Sequence, residues 1–206
     1  MAKKISYIVL SIVVIGILLY SFQHSDQFKL PEHYLELVQQ HRKNQNNFFR
    51  TNKNSPLSIN AKKAFQGLKY FDIDPSFRVI CRLEHTPNAA IMRLNTSSGK
   101  IKEYKPYATL HFKLSGKELQ LLALQPLTHP DMLFVPFTDQ TTGFDTYGAG
   151  RYLELPMPDG DQMALDFNYA FNPYCAFSDG YSCPQPPQEN FLNLKITAGE
   201  KSPKKH

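Results

Sequence analysis

The chain has 206 residues, 42% of them hydrophobic and 20% charged, which excludes a disordered or fibrous protein and leaves enough for one domain with a sizeable core. The formal net charge of +5 is concentrated at the two ends. Residues 31–200 carry 17 basic and 17 acidic side chains, so the body is neutral and lacks the electrostatic footprint of a nucleic-acid binder.

Lys3 and Lys4 precede an uncharged run, 5–22, rich in Ile, Val and Leu. Roughly 17–25 apolar residues span a bilayer as a helix. The two lysines predict a cytoplasmic stub at 1–4, a transmembrane anchor at 5–22 and a C-terminal domain outside the cytoplasm. The run ends Leu18-Leu19-Tyr20-Ser21-Phe22, without the small-x-small pattern of a cleavage site, so an uncleaved anchor is preferred to cleavage near Ser21 or Ser25. A lipid anchor needs a cysteine at that point, and the first cysteine is Cys81. Residues 23–30 are a polar linker.

A single domain is expected over 31–200. Pro31 and Glu32 open a helix over about 32–47, with Leu35, Leu37 and Val38 on roughly one side. Its end, Asn44-Gln-Asn-Asn, is a poor helix former. Ser55-Pro56 begins a second helical stretch that stops near Gly67. Beyond Asp72-Ile-Asp-Pro75 the pattern changes to short β-branched and aromatic runs. Strands are predicted at about 77–84, 89–95, 101–105, 107–114, 118–124, 132–136, 151–155, 162–168 and 191–197. Turns at Ser97-Ser-Gly99-Lys, Ser115-Gly116 and Pro158-Asp-Gly160-Asp161 read as hairpins. The fold class is therefore α+β and mostly β: an antiparallel barrel- or sandwich-like sheet with N-terminal helices. Residues 201–206 read as a disordered basic tail.

Charge is segregated along the domain. Residues 31–117 hold 15 basic and 6 acidic side chains, whereas 118–194 hold 10 acidic ones and a single cation, Arg151. Interleaving of the halves in one fold is preferred to two oppositely charged lobes.

Two long polar stretches stand out from the scaffold: 137–155 and 165–190. Both mix Asp, Thr, Asn, Tyr and Gly, the residues of polar binding loops. A hairpin between 151–155 and 162–168 would bring them together. Arg151 follows Gly148-Ala-Gly150, where the backbone has unusual freedom. A guanidinium there is matched to Asp139, Asp145 or Asp166. It either locks a loop onto the sheet or grips an anionic ligand. Alternation puts Asp166 and Asn168 on one face of their strand. The candidate ligand-binding set is Asp139, Thr142, Tyr147, Arg151, Asp166, Asn168, Asn172 and Glu189, with Arg151, Asp166 and Asn168 converging on a concave pocket.

Three cysteines remain. Cys81 sits in an apolar run and reads as a buried free thiol. In an oxidising compartment Cys175 and Cys183 could bridge the short segment between them, worth ~2–3 kcal/mol in the chain-entropy picture. The other reading is a reactive Cys175 with Cys183 as its resolving partner. The seven histidines show no metal-ligand spacing, and no dinucleotide, phosphate-loop or nucleophile-elbow motif occurs, so no metal or cofactor is assigned.

The run Thr146-Tyr-Gly-Ala-Gly-Arg151-Tyr-Leu, Asp166-Phe-Asn168, Asn172-Pro-Tyr-Cys175-Ala, Cys183-Pro-x-Pro-Pro, Glu189-Asn190 and the closing Ala198-Gly-Glu-Lys201 resembles the bacterial and archaeal family of domain of unknown function 1684. Ser55-Pro-Leu, Phe65-x-Gly-Leu-x-Tyr-Phe71 and Phe134-x-Pro-Phe-x-Asp139 fit it as well, so the likeness covers about 32–201. It implies a shared fold and no particular activity. The family resemblance also implies members with and without an export segment, in which case a disulfide is not the sole reason for the Cys175/Cys183 pair.

Three functions are compatible with these residues. The preferred one is a membrane-tethered domain that binds a small polar or anionic ligand. The others are a structural or partner-binding envelope domain with internal polar braces, and a hydrolase-like enzyme using Asp139, Asp166, Glu189 or Cys175.

Overall fold

The structure, a computed structural model, describes Val13 and residues 30–203. The anchor expected at 5–22 therefore lies, but for Val13, outside the described residues, as do most of the linker and the last three residues of the tail. Among the described residues no helix is long and apolar enough to cross a membrane.

The unit that begins at His33 is built on one curled, half-barrel sheet of eight strands. These are β1 (Arg78–His85), β2 (Met92–Asn95), β3 (Ile101–Leu114), β4 (Lys117–Pro126), β5 (Met132–Asp139), β6 (Arg151–Pro156), β7 (Gln162–Asp166) and β8 (Phe191–Leu192). The order is β6-β5-β4-β3-β1-β7; β2 pairs with β3, and β8 adds a short parallel pair to β5. Ser115 and Gly116, both at positive φ (50° and 77°), close the β3–β4 hairpin as its right-handed twist requires.

The expected break between 101–105 and 107–114 is a bulge inside a single strand. Pro106 has no N–H to give the ladder, and the register steps from Pro106↔Leu124 to Ala108↔Ala123. The slip changes which face β3 buries. Tyr104, before it, packs with Leu124, Phe134 and Tyr152. Ala108, Leu110, Phe112 and Leu114, after it, pack with Leu121, Leu133, Val135 and Leu153 in the main core. One sheet thus carries the main core on one face and a smaller aromatic cluster on the other.

The hairpin expected between 151–155 and 162–168 does not form. β6 pairs with β5 and β7 with β1, at opposite ends of the sheet order. The turn at 158–161 is local chemistry, whereas strand pairing is settled by which apolar faces meet. The charge-segregated halves do interleave: β3 pairs with β4 and β1 with β7.

Helix α1 (Tyr34–Thr51) begins three residues after Pro31 and runs through the polar Asn-rich segment. Tyr34, Val38 and Phe49 form its buried side, while Leu35 and Leu37, expected to face inward, are each 50% exposed. Tertiary partners override weak propensity here. Phe49 packs against Phe65, Tyr174 and Phe177, and the Asn46 carboxamide accepts from Leu68 N–H at 2.7 Å. Helix α2 (Ile59–Ala64) is shorter than expected and is capped by Ser58, whose hydroxyl accepts from Ala61 N–H at 3.2 Å. At the other end Lys201 N–H donates to Lys69 O and Ser202 N–H to Asp145 O, so the first residues of the supposed tail belong to the fold.

Candidate functional site: an aromatic cavity beside a polar brace

Arg151 opens β6 directly after Gly150, whose φ is +88° and where a Cβ would stand 2.5 Å from Phe137 O. Only glycine admits this approach. The Arg151 side chain is fully buried. Its Nη2 donates to Asp139 Oδ2 at 3.0 Å and to Ile196 O at 2.8 Å, and its Nη1 donates to Ala198 O and Glu200 O. Asp139 Oδ1 in turn accepts from Thr141 N–H (2.7 Å), Thr141 Oγ1 (2.6 Å) and Ile196 N–H (3.2 Å). Thr142 Oγ1 accepts from Asp139 N–H at 3.0 Å. Of the three expected carboxylate partners, Asp139 is the one engaged. The arrangement ties the 139–142 loop and β6 to the chain at 196–200, and both terminal nitrogens of the guanidinium are committed to protein oxygens.

Asp166 and Asn168 form a second brace. Asp166 Oδ2 accepts from the Tyr34 hydroxyl at 2.7 Å, and Oδ1 accepts from Asn168 N–H and Nδ2. Asn168 Nδ2 also donates to Asp74 O and the Tyr34 hydroxyl, and its Oδ1 accepts from Asp74 N–H. β7 ends at Asp166 and a 3-10 turn follows, so the simple alternation expected there does not apply. A third brace is Asn190, which the site prediction omitted. Its carboxamide bonds Leu122 N–H, Leu122 O and Pro136 O, bridging β4 and β5. Its neighbour Glu189 is exposed. The expected pocket of Arg151, Asp166 and Asn168 is thus replaced by separate internal braces.

The cavity lies on the aromatic face of the sheet and measures about 1330 Å³. Its wall is Tyr104, Phe134, Tyr152, Phe171, Tyr174 and Tyr181, with His41, Gln45 and Phe49 contributed by α1. Tyr104 stacks on Phe134 at 5.4 Å, and Phe134 meets Tyr152 edge-on at 4.7 Å. Tyr152 and Phe171 exchange backbone hydrogen bonds of 2.9 and 3.0 Å. That bridge, rather than a hairpin, brings the two polar stretches together.

Asn172 and Glu200 supply the buried polar part of this lining. Glu200 Oε2 accepts from Asn172 N–H (2.9 Å) and Nδ2 (3.0 Å), and Asn172 Nδ2 also donates to Lys201 O. Gly199, at φ +76°, delivers Glu200 to this place. A Cβ at 199 would stand 2.5 Å from Ala170 O. Burial pushes the Glu200 carboxyl up to about 7, against the opposing pull of Asn172 and Arg151. Asn172 Oδ1 is buried with no hydrogen-bond partner. The Tyr70 hydroxyl is turned to the Glu200 carboxyl, while Nε and Nη2 of Arg42, whose guanidinium lies 4.4 Å over the Tyr70 ring, are also buried without a hydrogen-bond partner. Native proteins leave few such atoms unbonded, and of the two residues, Asn172 and Arg42, Asn172 is the one that lines the cavity.

Of the eight predicted ligand-binding residues, Asn172 alone lines the cavity. Tyr147 stands behind it, its hydroxyl donating to Cys175 O at 3.4 Å. Cys183 lies in the wall, and Cys175 N–H donates to Cys183 Sγ at 3.2 Å. Cys81 is fully buried, donates to Met163 O and is pushed up to about 11 by burial. Glu200 was visible only as part of the closing Ala198-Gly-Glu-Lys201 motif. Among the described residues no three His, Cys, Asp or Glu side chains are grouped as metal ligands.

The family model described as Protein of unknown function (DUF1684) matches residues 63–201. The chain belongs to this family. A solution NMR structure of an uncharacterised protein from Haloarcula marismortui is similar to it, with 39% identity and a TM-score of 0.67, over 84% of this chain and 96% of that one. No curated protein matches. The matched region of the DUF1684 domain contains the Arg151 brace, Asp166 and Asn168 of the second brace, the aromatic residues of the wall from Tyr104 to Tyr181, Asn172 and Glu200; Tyr34 precedes it.

Proposed function

We propose that the domain binds a small polar ligand carrying a flat ring and an N–H or O–H donor. The observation that carries this reading is the buried, unbonded Asn172 Oδ1, set beside Glu200 in an aromatic cavity of about 1330 Å³. The ring would lie among Tyr104, Phe134, Tyr152 and Tyr174, as aromatic sites favour. The donor would satisfy Asn172 Oδ1. The Arg151 guanidinium, bonded to Asp139 and backbone carbonyls, is not free to grip an anion, which narrows the expected ligand from polar or anionic to polar.

Ligand-observed NMR with benzamide, benzylamine and benzoate tests this directly. Benzamide and benzylamine bind, benzoate does not, and Tyr181→Ala in the cavity wall weakens both hits. Equal binding of all three, or binding indifferent to Tyr181, overturns the reading.

One observation favours an enzyme as the second reading. Glu200, with a carboxyl near 7 in the cavity lining, has the position and proton affinity of a general acid–base group. Asp139 and Asp166 are occupied as braces, and Glu189 lies outside the cavity lining.

We further propose that the domain is held at the membrane by 5–22, with its C-terminal part outside the cytoplasm. The support is the apolar run flanked by Lys3 and Lys4. Carbonate extraction leaves the full-length protein in the membrane pellet; release into the supernatant sinks the tether.

A further inference from the structure

Cys175 and Cys183 are both free thiols, brought together by the fold. Cys175 lies in the 3-10 turn Tyr174–Ala176 and is half-buried; Cys183 is buried in the cavity wall. Their contact is direct: Cys175 N–H donates to Cys183 Sγ at 3.2 Å, and the two thiols face each other. Cys183 is held from behind by Ser97: Cys183 N–H donates to Ser97 Oγ at 3.1 Å, and Ser97 N–H donates to Cys183 O at 2.8 Å. The Ser97 and Tyr147 hydroxyls lie close by, Ser97 Oγ donating to Tyr181 O at 3.2 Å and the Tyr147 hydroxyl to Cys175 O at 3.4 Å.

This is an unequal pair. Donors aimed at a sulfur favour its thiolate. The contact with Cys183 lowers Cys175 against the opposing effect of burial. The same contact raises Cys183. The other titratable groups acting on the pair or on Tyr147 are Tyr104, Tyr152, Asp179 and Lys102; of these Lys102 favours a thiolate on Cys183. Cys81 is the internal contrast, a solitary thiol sealed in the core.

We propose that Cys175 and Cys183 are a redox-active dithiol that exchanges with low-molecular-weight disulfides, Cys175 attacking and Cys183 resolving. In the first step the Cys175 thiolate bonds to one sulfur of the small disulfide, and the other sulfur leaves as a thiolate. In the second, Cys183 gives up its proton, its sulfur bonds to Cys175 Sγ, and the remaining small thiolate leaves. The two cysteines are oxidised to an internal disulfide. The small disulfide is reduced to two thiols, which take up the two protons released. The new bond closes in the cavity wall and pins the 175–183 loop that carries Tyr181. The exchange itself does not depend on the cavity being a ligand site.

The test uses the reduced full-length protein and oxidised glutathione, followed by intact and peptide mass spectrometry. The wild type loses two hydrogens in mass, its Cys175 and Cys183 peptides become linked, and Cys81 stays reduced. Cys183→Ser stops at a glutathione adduct on Cys175, and Cys175→Ser gives neither product. Independently of any variant, iodoacetamide alkylates wild-type Cys175 with a half-maximal rate at a pH well below the roughly 8.5 of an ordinary thiol. An ordinary alkylation profile, or a glutathione adduct that persists on wild-type Cys175, overturns the proposal.

Discussion

Two polar networks meet at the same C-terminal segment, and they differ in how completely they are bonded. Around Arg151 both carboxylate oxygens of Asp139 are taken, and both terminal guanidinium nitrogens donate to protein oxygens; the guanidinium Nε is the exception. Around Glu200, three buried polar atoms on Arg42 and Asn172 have no partner. A closed network rigidifies a fold. An open one beside a cavity leaves an acceptor that the proposed ligand would complete. Composition alone does not separate them, since each is a carboxylate, an arginine and a few amides and hydroxyls.

The largest effect belongs to the closed network. Arg151→Ala leaves the Asp139 carboxylate buried and unpaired, at a cost of about 3–5 kcal/mol. It unfolds the domain or lowers its melting temperature steeply; an unchanged melting temperature breaks the contrast. Glu200→Gln probes the open network through pH. A folded-state carboxyl near 7, against about 4.5 when unfolded, means the folded state keeps a proton that the unfolded chain has released. The Glu200 contribution is therefore present in full below about 4.5 and is lost as pH rises through 7, up to about 3 kcal/mol. The wild type loses stability over that window relative to Glu200→Gln, and the variant is the more stable at pH 8. Parallel melting curves at pH 5 and pH 8 for the two proteins refute this.

Gly199→Ala puts a Cβ into Ala170 O at a left-handed position and costs at least about 2 kcal/mol, read by urea denaturation. Asn190→Ala removes three bonds between β4 and β5 and costs about 2 kcal/mol in the same assay. The smallest effect is Leu35→Gln on the exposed side of α1, within about 0.5 kcal/mol. A large loss there would restore the inward-facing role that the sequence suggests for Leu35.

Particular residues show how far the sequence reaches. Ser115-Gly116 and 97–100 are turns for local reasons, and they are hairpin turns in the fold. The same reasoning at 158–161 predicted a hairpin wrongly, because a turn does not decide which strand it delivers to. Arg151 stood out as the single cation of an acidic half, and it proved central to one network. Glu200 did not stand out, because its character comes from burial by Gly199, Asn172 and Tyr70 rather than from its neighbours in sequence.

The amino-acid order by itself determined the β-rich class, most strand positions and the family. Those depend on period-two alternation, turn residues and motif spacing, all of which act over short distances. The tertiary structure alone decided that β6 and β7 lie apart, that α1 buries Tyr34, Val38 and Phe49, and that the Pro106 bulge turns β3 from one core to the other. It alone divided the polar residues into bonded braces and a partly bonded group around Glu200, because hydrogen-bond partners and burial belong to residues far apart in the chain.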